Sequence, residues 1–216
     1  MKLYYNPVSS YSMKTLMAFF EKDVPFEASV VNLMDPAART EYEKIHPLGK
    51  VPYLRVEADQ LHIPESTIIA EYLEQKYPNK GTRLIPADPD AARQVRMRDR
   101  FFDCYINEPM QKIFFDSMRP AGKNDPHGVE QAKKTLKTAY TMAEQWFIKG
   151  PWAMGDEFTL ADCAAAPPLF YARNVLPYDD HKNLTAYANR LVERPSFQKV
   201  LGEAMPILQQ MGFGKK

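Results

Sequence analysis

The pattern of apolar residues changes character near residue 80, and that change constrains the fold more than any other feature of the chain. Before it, short β-prone runs alternate with helical patterns; after it, only helical periodicity remains. Lys2 to Tyr5 reads as a strand ended by Asn6-Pro7. In residues 9–22, Met13, Leu16, Met17, Phe19 and Phe20 recur at helical spacing behind serines able to cap the first turn. Residues 26–31 read as a second strand, and Asp35-Pro36 opens a short helix. Residues 51–56 and 60–63 read as strands joined by a hairpin turn at Glu57-Ala58-Asp59. Pro64-Glu65-Ser66 then starts a helix with Ile68, Ile69, Tyr72 and Leu73 on one face. The order βαβ, linking helix, ββα predicts an α/β unit.

Beyond Tyr77-Pro78-Asn79-Lys80-Gly81 the helical patterns cover 91–115, 128–149, 158–176 and 184–194. The expected organisation is an α/β domain over 1–80, a linker over 81–90 and an all-helical domain over 91–216. Pro195 and Pro206 read as later breaks, and Pro167-Pro168 should kink or interrupt the helix that contains them. Lys and Arg number 28 against 27 Asp and Glu, a net charge of +1. That balance gives no electrostatic reason to expect nucleic acid or an anionic membrane as partner. No run of 18 apolar residues predicts a membrane span, and the amino terminus lacks the long apolar region of a signal peptide. Cys104 and Cys163, far apart in apolar helical stretches, do not form a disulfide framework, so a reducing, cytoplasmic setting is expected. His46, His62, His127 and His181 show no metal-ligand spacing, and no metal is expected.

Local motifs join this architecture in a fixed order: Asn6-Pro7-Val8-Ser9-Ser10 before the first helix, His46-Pro47-Leu48-Gly49-Lys50-Val51-Pro52 before the third strand, Glu65-Ser66 opening the next helix, and Phe158-Thr159-Leu160-Ala161-Asp162 in the helical part. With these motifs the whole chain resembles the cytosolic glutathione transferases of the serine type, which join a thioredoxin-like domain to an all-α domain. The resemblance implies an enzyme that binds reduced glutathione, activates it as thiolate and conjugates it to a soft hydrophobic electrophile. It also implies a homodimer.

Free thiol has a pKa near 8.5, so about 3% is ionised at pH 7, and a shift of about two units makes thiolate the main species. A hydroxyl at a helix amino terminus supplies a charge-assisted hydrogen bond and the positive end of the helix dipole. The resemblance places the activating hydroxyl about five residues before a basic residue of the first helix, which from Lys14 is Ser9, with Ser10 second and the phenols of Tyr4 and Tyr5 as alternatives. By residue type alone, both serines can equally be helix caps. The absence of Cys at this turn argues against a deglutathionylating or dithiol redox role.

The resemblance further implies a cis bond before Pro52, pairing of the Val51 main chain with the cysteinyl unit, and Lys50 on the glycine carboxylate. His46 stands where Asn is common. Glu65 can take the γ-glutamyl ammonium and Ser66 the carboxylate beside it, with Thr67 a further contact. Taken singly, these residues also read as a solvated lysine and a capped helix start. Arg98, Phe101, Phe102 and Tyr105 share a helical face and are the candidate electrophile wall between the domains, a spacing that equally suits core. Thr159-Leu160-Ala161-Asp162 is a capping box, a folding element and not a chemical one. Two other readings stay open: a non-catalytic member that uses the fold for binding or protein contacts, and a zeta-type cis-trans isomerase. Ser9-Ser10-Tyr11 would answer to the Ser-Ser-Cys of the isomerase, but Tyr11 replaces the cysteine.

Overall fold

The computed structural model describes residues 1–213, apart from the side chains of Trp146 and Phe147. The first eighty residues form β1 (Lys2–Tyr5), α1 (Ser10–Lys22), β2 (Glu27–Val30), α2 (Pro36–Glu43), β3 (Tyr53–Val56), β4 (Leu61–Pro64) and α3 (Ser66–Lys76). The turn between β3 and β4 is a single 3-10 turn over Glu57–Asp59, with Gln60 left-handed at φ +51°. The strands lie in the order β2-β1-β3-β4, with β1 parallel to β2 and antiparallel to β3, and β4 antiparallel to β3. This mixed sheet with its helices is the thioredoxin-like arrangement that the family resemblance implies.

Register decides what this sheet presents. Tyr4 lies opposite Tyr53, and Tyr53 lies opposite Pro64. The segment that leaves β1, the segment that enters β3 and the segment that leaves β4 therefore meet at one end of the sheet. Those segments are Asn6 to Ser9, Lys50 to Pro52, and Glu65 with Ser66.

Helix α1 is held by a buried apolar face, with Met13, Leu16, Met17 and Phe19 all without solvent exposure. Each such side chain contributes about 1.5–3 kcal/mol by leaving water. The same helix buries charge at its end, where Lys22 pairs with Glu74 of α3 at 3.0 Å. Glu74 also accepts from the Leu84 N–H at 2.8 Å. Thr82 donates to Glu21 at 2.6 Å through its hydroxyl and to the Glu21 carbonyl at 2.8 Å through its N–H. The start of the expected linker is thus built into the first unit. Gly81 makes this possible, because at φ +53° a Cβ there would fall 2.1 Å from the Glu21 carbonyl oxygen.

The helical part comprises α4 (Pro89–Phe101), α5 (Glu108–Ser117), α6 (Pro126–Met142), α7 (Leu160–Val175) and α8 (Lys182–Glu193). The pattern over 91–115 predicts one helix, but a π-helical turn over Phe102–Asn107 separates α4 from α5, and a second over Ala143–Phe147 follows α6. Pro167 and Pro168 do not interrupt α7, which runs through both while lacking two of its N–H donors. Pro195 does mark a break, between α8 and the next helix. It opens α9 (Pro195–Gln210), where the missing N–H costs nothing, and Pro206 lies inside that helix.

Helix α9 packs on α1, so the unit that spans Met1–Leu84 takes in the chain from Pro195 as well, and the second unit is Ile85–Arg194. Ser196 donates to Glu21 at 2.5 Å, and the Tyr5 hydroxyl to Glu203 at 2.7 Å. Periodicity alone does not reveal such long-range contacts. Residues 214–216 of the expected helical domain lie outside the described residues.

Candidate active site at one end of the sheet

Asn6 shapes the turn after β1. Its amide donates to the Val31 carbonyl at 2.9 Å and its side-chain oxygen accepts the Val8 N–H at 3.0 Å, tying the turn to the residue after β2. Ser9 follows as the N-cap of α1, half-buried, with its Oγ accepting the Ser12 N–H at a long 3.4 Å. A bond of that length is weak, and accepting it does not use the hydroxyl hydrogen. Ser10 is buried inside the first turn of α1. Tyr4 belongs to a buried cluster with Val31, Tyr42, Val51 and Tyr53. Tyr5 is bound to Glu203, and burial with that carboxylate pushes its phenol well above the ordinary range. Tyr5 is therefore not poised to become a phenolate.

The second segment turns sharply at Gly49, with φ +59°, and the Val51–Pro52 peptide bond is cis. Among the described residues no backbone hydrogen bond reaches the N–H or C=O of Val51. Lys50 projects into solvent while its carbonyl accepts the Tyr42 hydroxyl at 2.7 Å. His46 is buried with its ring stacked on Tyr53 at 4.5 Å. Desolvation lowers its pKa, and the nearby Glu65 carboxylate opposes that shift.

The third segment is the most strained. Glu65 sits at φ +71° and ψ 118°, a region rare for a residue with a side chain, and its exposed carboxylate makes no capping bond to α3. Such a conformation costs on the order of 1–3 kcal/mol and persists where surrounding structure imposes it. Ser66 and Thr67 are buried in the first turn of α3. The ammonium of Lys14, itself buried, donates to Thr67 Oγ1 at 2.8 Å and ties this helix start to α1. An exposed acceptor, a helix amino terminus and an unpaired stretch of main chain thus lie along one end of the sheet. Together these can hold an extended ligand with an ammonium and a carboxylate at one end.

The residues expected to form the electrophile wall are not gathered on one open face. Phe102 is fully buried against Tyr187 and Phe101, and Phe101 is buried too. Half-buried Arg98 bonds to the Ala153 carbonyl and lies 2.7 Å from Met154 Sδ. Only Tyr105 is exposed. Phe101 and Phe102 thus belong to the core of the second unit, whereas Arg98 and Tyr105 do not. A groove of about 370 Å³ lies between β2 and α2, and neither Ser9, Val51, Glu65 nor Ser66 lines it. Among the described residues no group of three His, Cys, Asp or Glu could hold a metal ion, and no helix is long and apolar enough to cross a membrane.

Sequence reasoning did not single out Tyr42 or the Lys14–Thr67 contact. Both depend on pairings across distant elements, and no local motif marks them.

Residues 3–81 match the family profile described as "Glutathione S-transferase, N-terminal domain", and residues 102–195 match "Glutathione S-transferase, C-terminal domain". Glutathione S-transferase 3 of Zea mays is 30% identical, with 96% of this chain and 95% of that protein covered. A stringent starvation protein A homolog of Coxiella burnetii is 26% identical over 98% of this chain and 96% of its own length. Among solved structures, a glutathione S-transferase from Methylobacillus flagellatus with glutathione bound superimposes with a TM-score of 0.83 at 26% identity, covering 92% of this chain and 98% of that one.

Proposed function

The chain belongs to the glutathione S-transferase family, and from that premise we propose that it binds reduced glutathione at this end of the sheet and conjugates it to soft, apolar electrophiles. The observation that carries the reading is Glu65. Its backbone is held at positive φ and its exposed carboxylate makes no capping bond, so the carboxylate is placed to accept the γ-glutamyl ammonium while the Ser66 N–H and hydroxyl take the neighbouring carboxylate. Val51 pairs its main chain with the cysteinyl unit, and the Lys50 ammonium meets the glycine carboxylate.

That registration brings the thiol toward the start of α1. Ser9, and failing it Ser10, donates a hydrogen bond to the sulfur, and the helix dipole favours its negative charge. The thiol proton leaves to solvent. The thiolate then attacks an electrophilic carbon, forming the C–S bond as an electron pair passes to a leaving group or a conjugated acceptor that water protonates. Cytoplasmic residence and a homodimer belong to the same reading; a monomer in sedimentation at micromolar concentration would remove the dimer.

Retention on immobilised glutathione, combined with turnover of an electrophile panel by the wild-type protein and by Ser9→Ala, tests the proposal. Retention with turnover that Ser9→Ala abolishes supports it. Retention without turnover leaves a binding protein. That second reading draws on the relative named as a stringent starvation protein A homolog.

A further inference from the structure

We infer that Tyr42 is a positioning residue for glutathione: it fixes the loop that presents Lys50 and Val51, and so sets the affinity for the tripeptide. The inference rests on the reading that glutathione lies along that loop.

Tyr42, near the end of α2, is almost wholly buried, and it grips the loop at both ends. Its carbonyl accepts the Ile45 and His46 N–H groups at 2.8 and 2.9 Å, where the chain leaves the helix. Its hydroxyl donates to the Lys50 carbonyl at 2.7 Å, where the chain reaches the expected binding edge. The Lys50 carbonyl and the Val51 N–H belong to one planar peptide unit and point in opposite directions. Holding the oxygen against Tyr42 therefore aims the Val51 N–H away from it, and accepting that bond makes the N–H a better donor. The ring cannot follow a shifting loop, because it is packed with Tyr4, Val31, Val51 and Tyr53 and its centroid lies 5.8 Å from that of Tyr4. Within the loop, Gly49 turns at φ +59° and donates to the His46 carbonyl at 2.8 Å, so little slack separates the two grips.

Tyr53 provides the matched control. It shares the cluster, but its hydroxyl meets His62 Nδ1 at 2.5 Å, across the β3–β4 pair and not in the loop. Calorimetric titration with glutathione, alongside thermal unfolding, separates the two. Tyr42→Phe should weaken binding about five- to tenfold, the effect of one lost hydrogen bond. The kcat at saturating glutathione should hold, and Tyr53→Phe should bind within about twofold of wild type. A Tyr42→Phe protein that binds like wild type overturns the inference, as does an equal loss in both variants, which would trace the effect to a loosened cluster. Wild-type protein that takes up no glutathione overturns the functional reading and this inference with it. Should Tyr42→Phe fail to fold, Gly49→Ala tests the loop from outside. A Cβ there meets Glu43 Oε1 at 2.9 Å on a backbone that disfavours side chains, and unchanged affinity in that variant is the contradicting result.

Discussion

Helices α3 and α7 both begin with a short polar sequence, yet one start is saturated and the other is open. At α7, Asp162 is fully buried and accepts the Thr159 N–H at 2.8 Å, the Thr159 hydroxyl at 3.2 Å, the Ala153 N–H at 2.7 Å and the Tyr187 hydroxyl at 2.7 Å. At α3, Glu65 is exposed, caps nothing and sits at positive φ. A capping acid that has spent its acceptors on its own fold stabilises; one held in strain with its acceptors facing out is available to a ligand. Sequence spacing alone separates these two cases poorly, because Ser, Thr, Asp and Glu near a helix start serve both.

The largest effect is expected where the start is saturated. Asp162→Ala strands four buried donors and should cost about 3–5 kcal/mol, lowering the thermal midpoint by roughly 10 °C for a chain of this size. The protein that remains folded should keep its glutathione affinity; loss of affinity with an unchanged midpoint would reverse the contrast between the two helices.

Glu65→Gly sharpens the comparison, because it separates function from stability. Removing the side chain relieves the positive φ while it costs backbone entropy, so the thermal midpoint should stay within a few degrees. Glutathione affinity should fall on the order of tenfold or more as a charge-assisted contact is lost. A midpoint that collapses along with affinity would show Glu65 to be structural.

The smallest effect concerns His46. Burial lowers its pKa below the ordinary 6.5, so just below pH 6.5 the unfolded chain binds a proton that the folded chain does not. Stability therefore falls as pH drops from 7 through that window and stops falling once the folded-state pKa is passed. His46→Asn should flatten this slope in unfolding curves at pH 7.5 and pH 5.5; an unchanged slope would mean that other groups govern it.

Much of this contrast is legible in the chain itself. Thr159-Leu160-Ala161-Asp162 announces its capping box, and β1 with its Asn6-Pro7 turn and the helix after it emerge from periodicity and turn chemistry. The motif residues around Ser9, Val51 and Glu65 are also visible, but their meeting at one end of the sheet follows only from the register of Tyr4, Tyr53 and Pro64. Other features stay hidden for a common reason. The packing of α9 on α1 and the grip of Tyr42 are pairings between distant segments, and the π turn at Phe102–Asn107 breaks a stretch that periodicity reads as one helix. Proline is read unevenly: Pro195 marks the break between α8 and α9, whereas Pro206 lies inside α9 and Pro167 and Pro168 inside α7.

The most direct test of the account is the ionisation of the bound thiol. Ultraviolet titration of the glutathione complex should show thiolate forming about two units below the free thiol in the wild-type protein, and near the ordinary value of about 8.5 in Ser9→Ala. A bound thiol that titrates like free glutathione in the wild-type protein would contradict the claim that this end of the sheet activates it.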